Sequence, residues 1–412
     1  MRLTAYPFAA VVMLVLAGCT PARHHPPPPT GPAPTVAAAD LAWFLAQHQD
    51  LKATYFAGQF GVDNHPSGWD HGAYLRAYID MYEASHDVRV LRALNQLLTI
   101  VADGNDALTS RKDDRSGTVL PGWGTRAYRY GPDGQARYSD MLTNALYAYP
   151  LAAFARIVRE DETLQAEFGA DAERYYRMVA HLYAVHRPFV PDPDAPYGDG
   201  SGGVYVAFPP NDYDYDAGAD DSGLEAPINW TAIIAEPLVE LYRASLADGE
   251  PNADYEDTVT KVASYLWWNM QVTTTASGTP FLTWYYWPAD PETPTRVEDL
   301  THGARVAAFV ASLRRAGLSG PWNDERTAYL ANTLPCGAAL DDTTFANYLD
   351  GTGGVYDDDP ATLYEWLELQ QYSHTSPCPT IAERLRRAMR AAGEDDKYNI
   401  AVFAKFARFG GD

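Results

Sequence analysis

The sequence has few positive charges for its length and few cysteines. Its 412 residues contain 31 Lys and Arg against 54 Asp and Glu, which gives a formal net charge of −23. So acidic a chain repels a phosphate backbone, and no basic cluster interrupts it, so a nucleic-acid partner is excluded. Apolar residues make up 46% and aromatic residues 13% of the chain. This composition excludes extensive disorder and indicates a globular protein of one large or two smaller domains.

Several chemical signatures are also missing. The chain has no His-Glu-x-x-His pattern for catalytic zinc, no serine-nucleophile motif and no glycine-rich phosphate loop. The alternating aspartates of residues 212–218 begin like an EF-hand, but the glycine stands one place late and no Glu occupies the twelfth position. We therefore expect no cofactor. Solvated acidic loops are favoured over a structural calcium ion both there and at residues 357–359.

The first residues predict export and lipidation. Arg2 precedes an apolar run over residues 8–16 that is too short to remain as a membrane span. The run ends in Leu-Ala-Gly-Cys19, which resembles a bacterial lipobox. This resemblance implies a signal peptide over residues 1–18 and an outer-membrane lipoprotein, facing the periplasm or the exterior and anchored through lipid on Cys19 alone. The alternative is an ordinary signal peptide that contains a cysteine.

The remaining chain divides into a tether and one domain. Residues 19–36 are rich in proline and predict a semi-rigid spacer, so the folded domain is expected to span residues 37–412. Cys336 and Cys378 are the two cysteines in that domain. In an oxidising compartment they are expected to form a disulfide.

Hydrophobic periodicity predicts an all-α domain. Apolar residues recur at spacings of three and four, and no segment alternates as strongly as a strand would. Twelve helices are predicted, over residues 40–49, 70–84, 88–101, 139–159, 164–186, 229–245, 255–270, 298–316, 323–334, 363–372, 381–392 and 397–409.

A loose repeat of 70 to 90 residues organises these helices into hairpins. The first helices of successive hairpins begin near Asp70, Asp140, Trp230 and His302. This repeat predicts an α/α toroid, an incomplete barrel of about six hairpins, and an open solenoid is disfavoured because the loops are uneven. The long loops 105–137, 187–228 and 271–297 each precede an inner helix and are expected to lie on one face.

The ends of these loops carry aromatic, amide and charged side chains together. Such a combination is typical of a carbohydrate cleft, in which rings stack on sugars and polar groups bind hydroxyls and carboxylates. The predicted substrate-binding residues are Trp69, Asp70, His71, Trp123, Arg126, Tyr128, Arg129, Trp230, Trp284, Tyr285, Trp287, Glu298, Asp299 and Trp366.

Three segments carry a family resemblance. Asn229-Trp230, the Trp-Tyr-Tyr-Trp-Pro run from Trp284, and Glu298-Asp-Leu-Thr-His302-Gly resemble parts of α/α-toroid polysaccharide lyases such as alginate and glucuronan lyases. The likeness covers roughly residues 60 to 375. It implies that Asn229 and His302 neutralise a uronate carboxylate, and that Tyr286, Tyr285 or Tyr356 is the base and acid.

An arginine often assists in such enzymes, but none falls cleanly on the pattern, which leaves Arg126, Arg129 and Arg296 as candidates. Physical chemistry supports the assignment, since hydrogen bonds from Asn229 and His302 would stabilise the enolate-like state that follows loss of the C5 proton. A tyrosine whose pKa is lowered by that positive setting could transfer the proton. The expected partner is an acidic polysaccharide.

Two other functions remain open. A glycoside hydrolase could use a carboxylate pair drawn from Asp70, Asp140, Glu298, Asp299 and Glu365, and a surface lipoprotein could bind glycans without catalysis. Alternative structural roles also remain for the key residues. Asn229 could cap a helix, His302 could be a packing residue, and Glu298 and Asp299 could simply favour a helix N-terminus.

Overall fold

The computed structural model describes most of the predicted domain. The described residues are 36–60, 68–130, 134–192, 203–207, 225–288, 296–318, 320–373 and 378–410, and the side chains of residues 127–130 and 192 are excepted. The signal peptide, Cys19 and the possible calcium loop at 212–218 lie outside them. Within these ranges, no helix is long and apolar enough to cross a membrane.

The described part of the chain is mostly helical. Its α-helices are α1 (Ala38–Ala46), α2 (His48–Leu51), α3 (Trp69–Ser85), α4 (Val88–Asp103), α5 (Asp106–Thr109), α6 (Met141–Glu160), α7 (Glu162–His186), α8 (Ile228–Ala247), α9 (Ala253–Trp268), α10 (Leu300–Arg315), α11 (Asp324–Asn332), α12 (Ile381–Ala392) and α13 (Ile400–Phe409). A 3₁₀ helix spans Pro360–Tyr372, and single π-helical turns span Lys52–Phe56 and Thr333–Gly337. Each of the twelve predicted helices is therefore present.

The long loops contain strands that periodicity did not predict. Three antiparallel pairs occur in the described ranges: β1 (Thr125–Tyr130) with β2 (Ala136–Tyr138), β3 (Phe189–Asp192) with β4 (Gly203–Val206), and β5 (Met270–Thr274) with β6 (Pro280–Trp284). Strands this short give too few alternations to stand out in sequence. The second strands of the three pairs precede α6, α8 and α10, respectively.

Six helical elements pack against one another in a closed series. Helix α3 packs on α6, α6 on α8, α8 on α10, α10 on the 3₁₀ helix, the 3₁₀ helix on α13, and α13 again on α3. Helices α4, α7 and α9 pack against the element that precedes each of them. Each therefore returns the chain so that the next inner helix can start.

Ion pairs and a shared cavity show that α3, α6 and α8 run in the same direction. Near their C-terminal ends, Arg156 of α6 pairs with Glu83 of α3 and with Glu240 of α8. Near their N-terminal ends, Gly72, Ala145 and other residues of α3, α6 and α8 line one cavity. The N-terminal parts of these helices lie near one another, and so do their C-terminal parts. Their N-termini therefore lie at the same end.

The helix starts follow ordinary capping chemistry. The side chain of Asp140 accepts a hydrogen bond from the Thr143 amide at the start of α6, and Asp299 accepts one from the His302 amide at the start of α10. Helix α12 begins with a reciprocal capping box between Thr380 and Glu383. These polar residues explain why sequence periodicity located the helix boundaries well.

Cys336 and Cys378 form a disulfide with a Cα–Cα distance of 5.8 Å. The bond joins the π-helical turn after α11 to the segment before α12, across 42 residues of sequence. The prediction made from the cysteine count is therefore confirmed.

Candidate functional site

The chain brings the aromatic run after β6 beside the start of α10. The Glu298 amide donates to the Trp284 carbonyl at 2.9 Å, and the Tyr286 amide donates to the Arg296 carbonyl at 3.1 Å. These backbone bonds pair the two segments like short strands. As a result, side chains from the aromatic run and from the first turn of α10 share one small region.

Asp299 and His302 form a hydrogen-bonded pair in that region. One Asp299 oxygen accepts the His302 backbone N–H at 2.9 Å, and the other lies 2.6 Å from His302 Nδ1. Burial works to raise the pKa of the Asp299 carboxyl, but the hydrogen bonds and charge of His302 lower it on balance. The His302 side chain is 37% exposed, so Asp299 fixes an imidazole that solvent reaches.

Tyr286 completes this group. Its ring lies against the His302 ring with a centroid distance of 5.4 Å. The Arg296 guanidinium lies 5.7 Å from the Tyr286 ring centroid and 3.9 Å from Asp299 Oδ2. A phenol, an imidazole, a carboxylate and a guanidinium thus converge, and we call these four residues, Tyr286, Arg296, Asp299 and His302, the Tyr286 cluster.

Asn229 lies on a segment that is hydrogen-bonded to this cluster. The amide of the preceding Ile228 donates to the Tyr286 carbonyl at 3.3 Å. Pro227 occupies the cap position of α8 and Asn229 is its second residue, so the helix-cap alternative is wrong. Asn229 is fully buried, and neither Oδ1 nor Nδ2 has a hydrogen-bond partner among the described residues. Such a side chain costs about 1–3 kcal/mol for each unsatisfied group.

Sequence reasoning missed an arginine one turn further along α10. Arg305 pairs with buried Glu365, and its guanidinium lies 5.2 Å from the centroid of the Trp69 ring. It lines a small, partly open cavity. The other lining residues are Gly72, Arg76, Ala145, Leu146, Tyr149, Ile233 and Glu236.

The spacing of His302 and Arg305, three residues apart on one helix, was the signal that could have identified this arginine. Arg76 and Glu236 gave a weaker signal, as charged residues inside apolar helical stretches.

The floor of the cavity is a buried ion network. Arg76 donates to Glu236 at 2.9 Å and to Glu368 at 3.2 Å, and its guanidinium lies 3.7 Å from the Tyr149 ring centroid. Burial raises the pKa of the Glu236 carboxyl despite its bond to Arg76. Because these donors and acceptors bind one another, we assign the network a structural role. Arg305 also lines the cavity, beside this network.

Four tryptophans predicted to bind substrate lie in the core. Trp123, Trp284 and Trp366 are almost completely inaccessible, and Trp230 is 5% exposed. The indole N–H of Trp123 donates to the Val101 carbonyl and that of Trp366 to the Leu300 carbonyl. The prediction of substrate contact is wrong for these rings, because neighbouring helices and loops cover them from both sides.

Two further predictions also need correction. His71 is buried among aromatic rings, its Nε2 bonds the Tyr55 carbonyl, and burial lowers its pKa. The Tyr356 hydroxyl is shared between two threonine hydroxyls at 2.6 and 2.7 Å, and burial raises its pKa, which is opposite to the shift that a base requires. The structure thus places His71 in the core and gives Tyr356 a local structural role.

The other predicted residues lie in varied settings. Tyr285 and Asp70 are exposed, while Trp69, Trp287 and Arg126 are partly buried. Arg126 donates to the Gln135 carbonyl within the β1–β2 hairpin. Tyr128 and Arg129 belong to β1, but their side chains lie outside the described part.

Glu298 is fully buried beneath the Tyr286 cluster. Its Oε2 accepts the Trp284 indole N–H at 3.3 Å. Burial, reinforced by the neighbouring Asp299 charge, raises its pKa well above the ordinary value. Because Glu298 is buried against Trp284, the prediction that it contacts the substrate is wrong.

A scan against protein-family models found no match, and a search of curated proteins found no significant relative.

Proposed function

We propose that the protein cleaves a uronic-acid-containing polysaccharide by β-elimination, with chemistry centred on the Tyr286 cluster and Asn229. The proposal includes an α/α toroid as the scaffold, which the closed packing series and the parallel inner helices support. Parallel helices direct their positive N-terminal ends toward the same face, which favours an anionic substrate there.

The reaction requires a proton to leave C5 while the C4–O bond breaks. A double bond then forms between C4 and C5, and the departing oxygen takes up a proton. The substrate carboxylate opposes loss of the C5 proton unless its charge is neutralised, and hydrogen-bond donors at that carboxylate stabilise the developing enolate. In our proposal, His302 supplies one such donor, and Asp299 holds its ring in place. The Asn229 amide, which is fully buried in this structure, supplies a second donor once substrate binding has exposed it.

Tyr286 is assigned the proton transfers. It is the candidate tyrosine whose ring contacts His302, whereas Tyr356 has a raised pKa and hydroxyl partners of its own. In the proposed reaction Tyr286 takes the C5 proton and returns a proton to the leaving oxygen. Arg296 beside the Tyr286 ring supplies positive charge that favours the phenolate.

The convergence of Tyr286, His302 and Asp299 carries the proposal. It is supported by Asn229, which follows the residue bonded to the Tyr286 carbonyl and whose amide has no hydrogen-bond partner among the described residues. Three of the carboxyl groups that a hydrolase could use have structural partners. Asp140 caps α6, Asp299 holds His302, and Glu365 pairs with Arg305. Of the other two candidates, Glu298 is fully buried and Asp70 is exposed.

The proposal extends to location and partner. An acidic polysaccharide is the proposed substrate, and Arg296 and Arg305 offset the negative charge of the chain locally. We further propose that the protein is an outer-membrane lipoprotein anchored through Cys19, on the basis of the lipobox resemblance.

Ultraviolet absorbance of the new C4–C5 double bond tests the reaction. Purified protein is incubated with alginate blocks, glucuronan and pectate, and wild type is compared with Tyr286→Phe, His302→Ala and Asn229→Ala. We expect a rise with at least one polymer and a loss of roughly 100-fold or more in Tyr286→Phe, since a general acid–base group contributes about 10²–10⁴.

The matched control is Tyr285→Phe, which removes the hydroxyl of the exposed neighbour and should retain activity. Equal activity in Tyr286→Phe and Tyr285→Phe would contradict the role of Tyr286. New reducing ends on neutral glycans without absorbance would establish a hydrolase. Retention on a glycan column without either product would establish a binding protein.

A further inference from the structure

In the described part of the chain, Glu298 has one carboxyl oxygen without a hydrogen-bond partner. Its side chain is fully buried, and the backbone is held on both sides by bonds to Trp284 and Leu349. The Trp284 indole N–H occupies Oε2, whereas Oε1 has no hydrogen-bond partner among the described residues. A buried carboxylate oxygen needs a hydrogen-bond donor or a cation, because desolvation is costly.

Two other ligand groups lie close to this carboxylate. Glu298, Asp299 and His302 each offer one ligand atom, and these three atoms lie within 4.8 Å of one another. Ligands bound to one ion at about 2.0–2.6 Å are at most about 4.0–5.2 Å apart, so three atoms within 4.8 Å of one another can reach a single ion after at most a small side-chain rotation. The sequence separation of one and three residues around a helix start produces this cluster.

We propose that Glu298, Asp299 and His302 bind one divalent cation at the N-terminus of α10. Two carboxylate oxygens and one imidazole nitrogen favour Mn²⁺ or Zn²⁺ over Ca²⁺, which takes oxygen ligands almost exclusively. The positive helix end opposes a cation by roughly half a charge, but the two carboxylates outweigh it. Among the described residues, the guanidinium that pairs with these carboxylates is that of Arg296, which lies 3.9 Å from Asp299 Oδ2 and is 59% exposed.

The ion would serve the site in a definite way. It would coordinate the unpartnered Oε1 of Glu298. Through the same ion, the buried Glu298 would be linked to the partly exposed His302. Its positive charge would also attract a uronate carboxylate. In that case the ion, and not a protonated His302, would neutralise the substrate. That last role rests on the proposed function, whereas ion binding itself does not.

Direct binding measurements test the proposal. Purified protein is treated with a chelator and dialysed, and Mn²⁺ is titrated while free ion is followed by electron paramagnetic resonance. Zn²⁺ and Ca²⁺ are titrated calorimetrically. We expect about one Mn²⁺ or Zn²⁺ per chain, weaker Ca²⁺ binding, and affinity for Mn²⁺ at least tenfold lower in Glu298→Gln, about the loss that even an outer-shell change causes.

The matched control is Asp70→Asn, which removes an exposed carboxylate from the first turn of another inner helix and should leave binding unchanged. Circular dichroism verifies that each variant is folded. If Glu298→Gln fails to fold, His302→Gln, at a partly exposed position, provides the same test.

The absence of stoichiometric binding, or equal Mn²⁺ affinity in wild type and the ligand variants, would overturn the proposal. Lyase activity in protein that binds no ion would contradict the cation site and support the proposed reaction. Stoichiometric ion binding without lyase activity would support the cation site and contradict the proposed reaction.

Discussion

At the scale of single residues, two buried asparagines near the starts of inner helices make an informative contrast. Asn144 of α6 is fully buried, but its Oδ1 accepts the Trp123 amide at 2.7 Å and its Nδ2 donates to Ser139 Oγ at 3.1 Å. Asn229 of α8 is equally buried without such partners. The first amide stabilises the fold, and the second imposes a cost that a ligand could offset.

This contrast predicts opposite effects of the same substitution. Asn229→Leu keeps the volume and removes two unsatisfied polar atoms, so the free energy of unfolding should rise by about 1–3 kcal/mol. Asn144→Leu leaves the Trp123 amide and the Ser139 hydroxyl without this hydrogen-bond partner. It should therefore lower the free energy of unfolding by about 1–3 kcal/mol. Urea denaturation measures both. Destabilisation by Asn229→Leu as large as that by Asn144→Leu would show that the Asn229 amide is satisfied in the folded protein.

At the scale of elements, a carboxyl pair joins the start of the 3₁₀ helix to the end of α12. Asp359 caps the 3₁₀ helix, and Glu394 follows α12. Burial, together with the hydrogen bond to Asp359 and its charge, raises the pKa of Glu394 to about 7. The protonated Glu394 can donate to Asp359, whereas the ionised form repels it.

The pair predicts a pH-dependent contribution to stability. Because the folded-state pKa lies above the ordinary 4.5, the contribution is complete below that pH and is lost as pH rises through about 7. Glu394→Gln should therefore reduce the difference in melting temperature between pH 5 and pH 8. Exposed Glu250→Gln serves as the control. An unchanged difference in Glu394→Gln would show that this pair does not titrate in that range.

At the scale of the whole molecule, buried charges connect elements that are distant in sequence. Lys405 of α13 is inaccessible and lies 2.8 Å from Asp80 of α3 and 2.7 Å from Glu368 of the 3₁₀ helix. Arg76 also reaches Glu368, at a separation of 292 residues. These ion pairs close the packing series between its first and last members.

Removal of the central cation should therefore destabilise the entire fold. Lys405→Met leaves two buried carboxylates less compensated, for which we expect a loss of about 3–5 kcal/mol. Lys397→Met removes an exposed pair with Asp40 and should cost no more than about 1 kcal/mol. Chemical denaturation of both variants measures the difference. A similar small effect in both would mean that the buried ion pairs of Lys405 contribute little to stability.

Part of the candidate site could be predicted from the sequence. Asp299 and His302 are three residues apart at a helix start, so local geometry alone brings them together. The contact of Tyr286 with His302 was accessible only through the resemblance. Arg305 was missed, because its position at the cavity depends on Trp69 and Glu365, which come from other elements.

The sequence by itself determined the helices and the disulfide, because helical periodicity, capping side chains and the presence of two cysteines in the domain are local or countable properties. Tertiary structure alone decided which aromatic rings are accessible. Trp284 and Tyr285 are adjacent in sequence, yet one is buried against Glu298 and the other is exposed. Burial depends on elements packed from distant parts of the chain, and no local pattern contains that information.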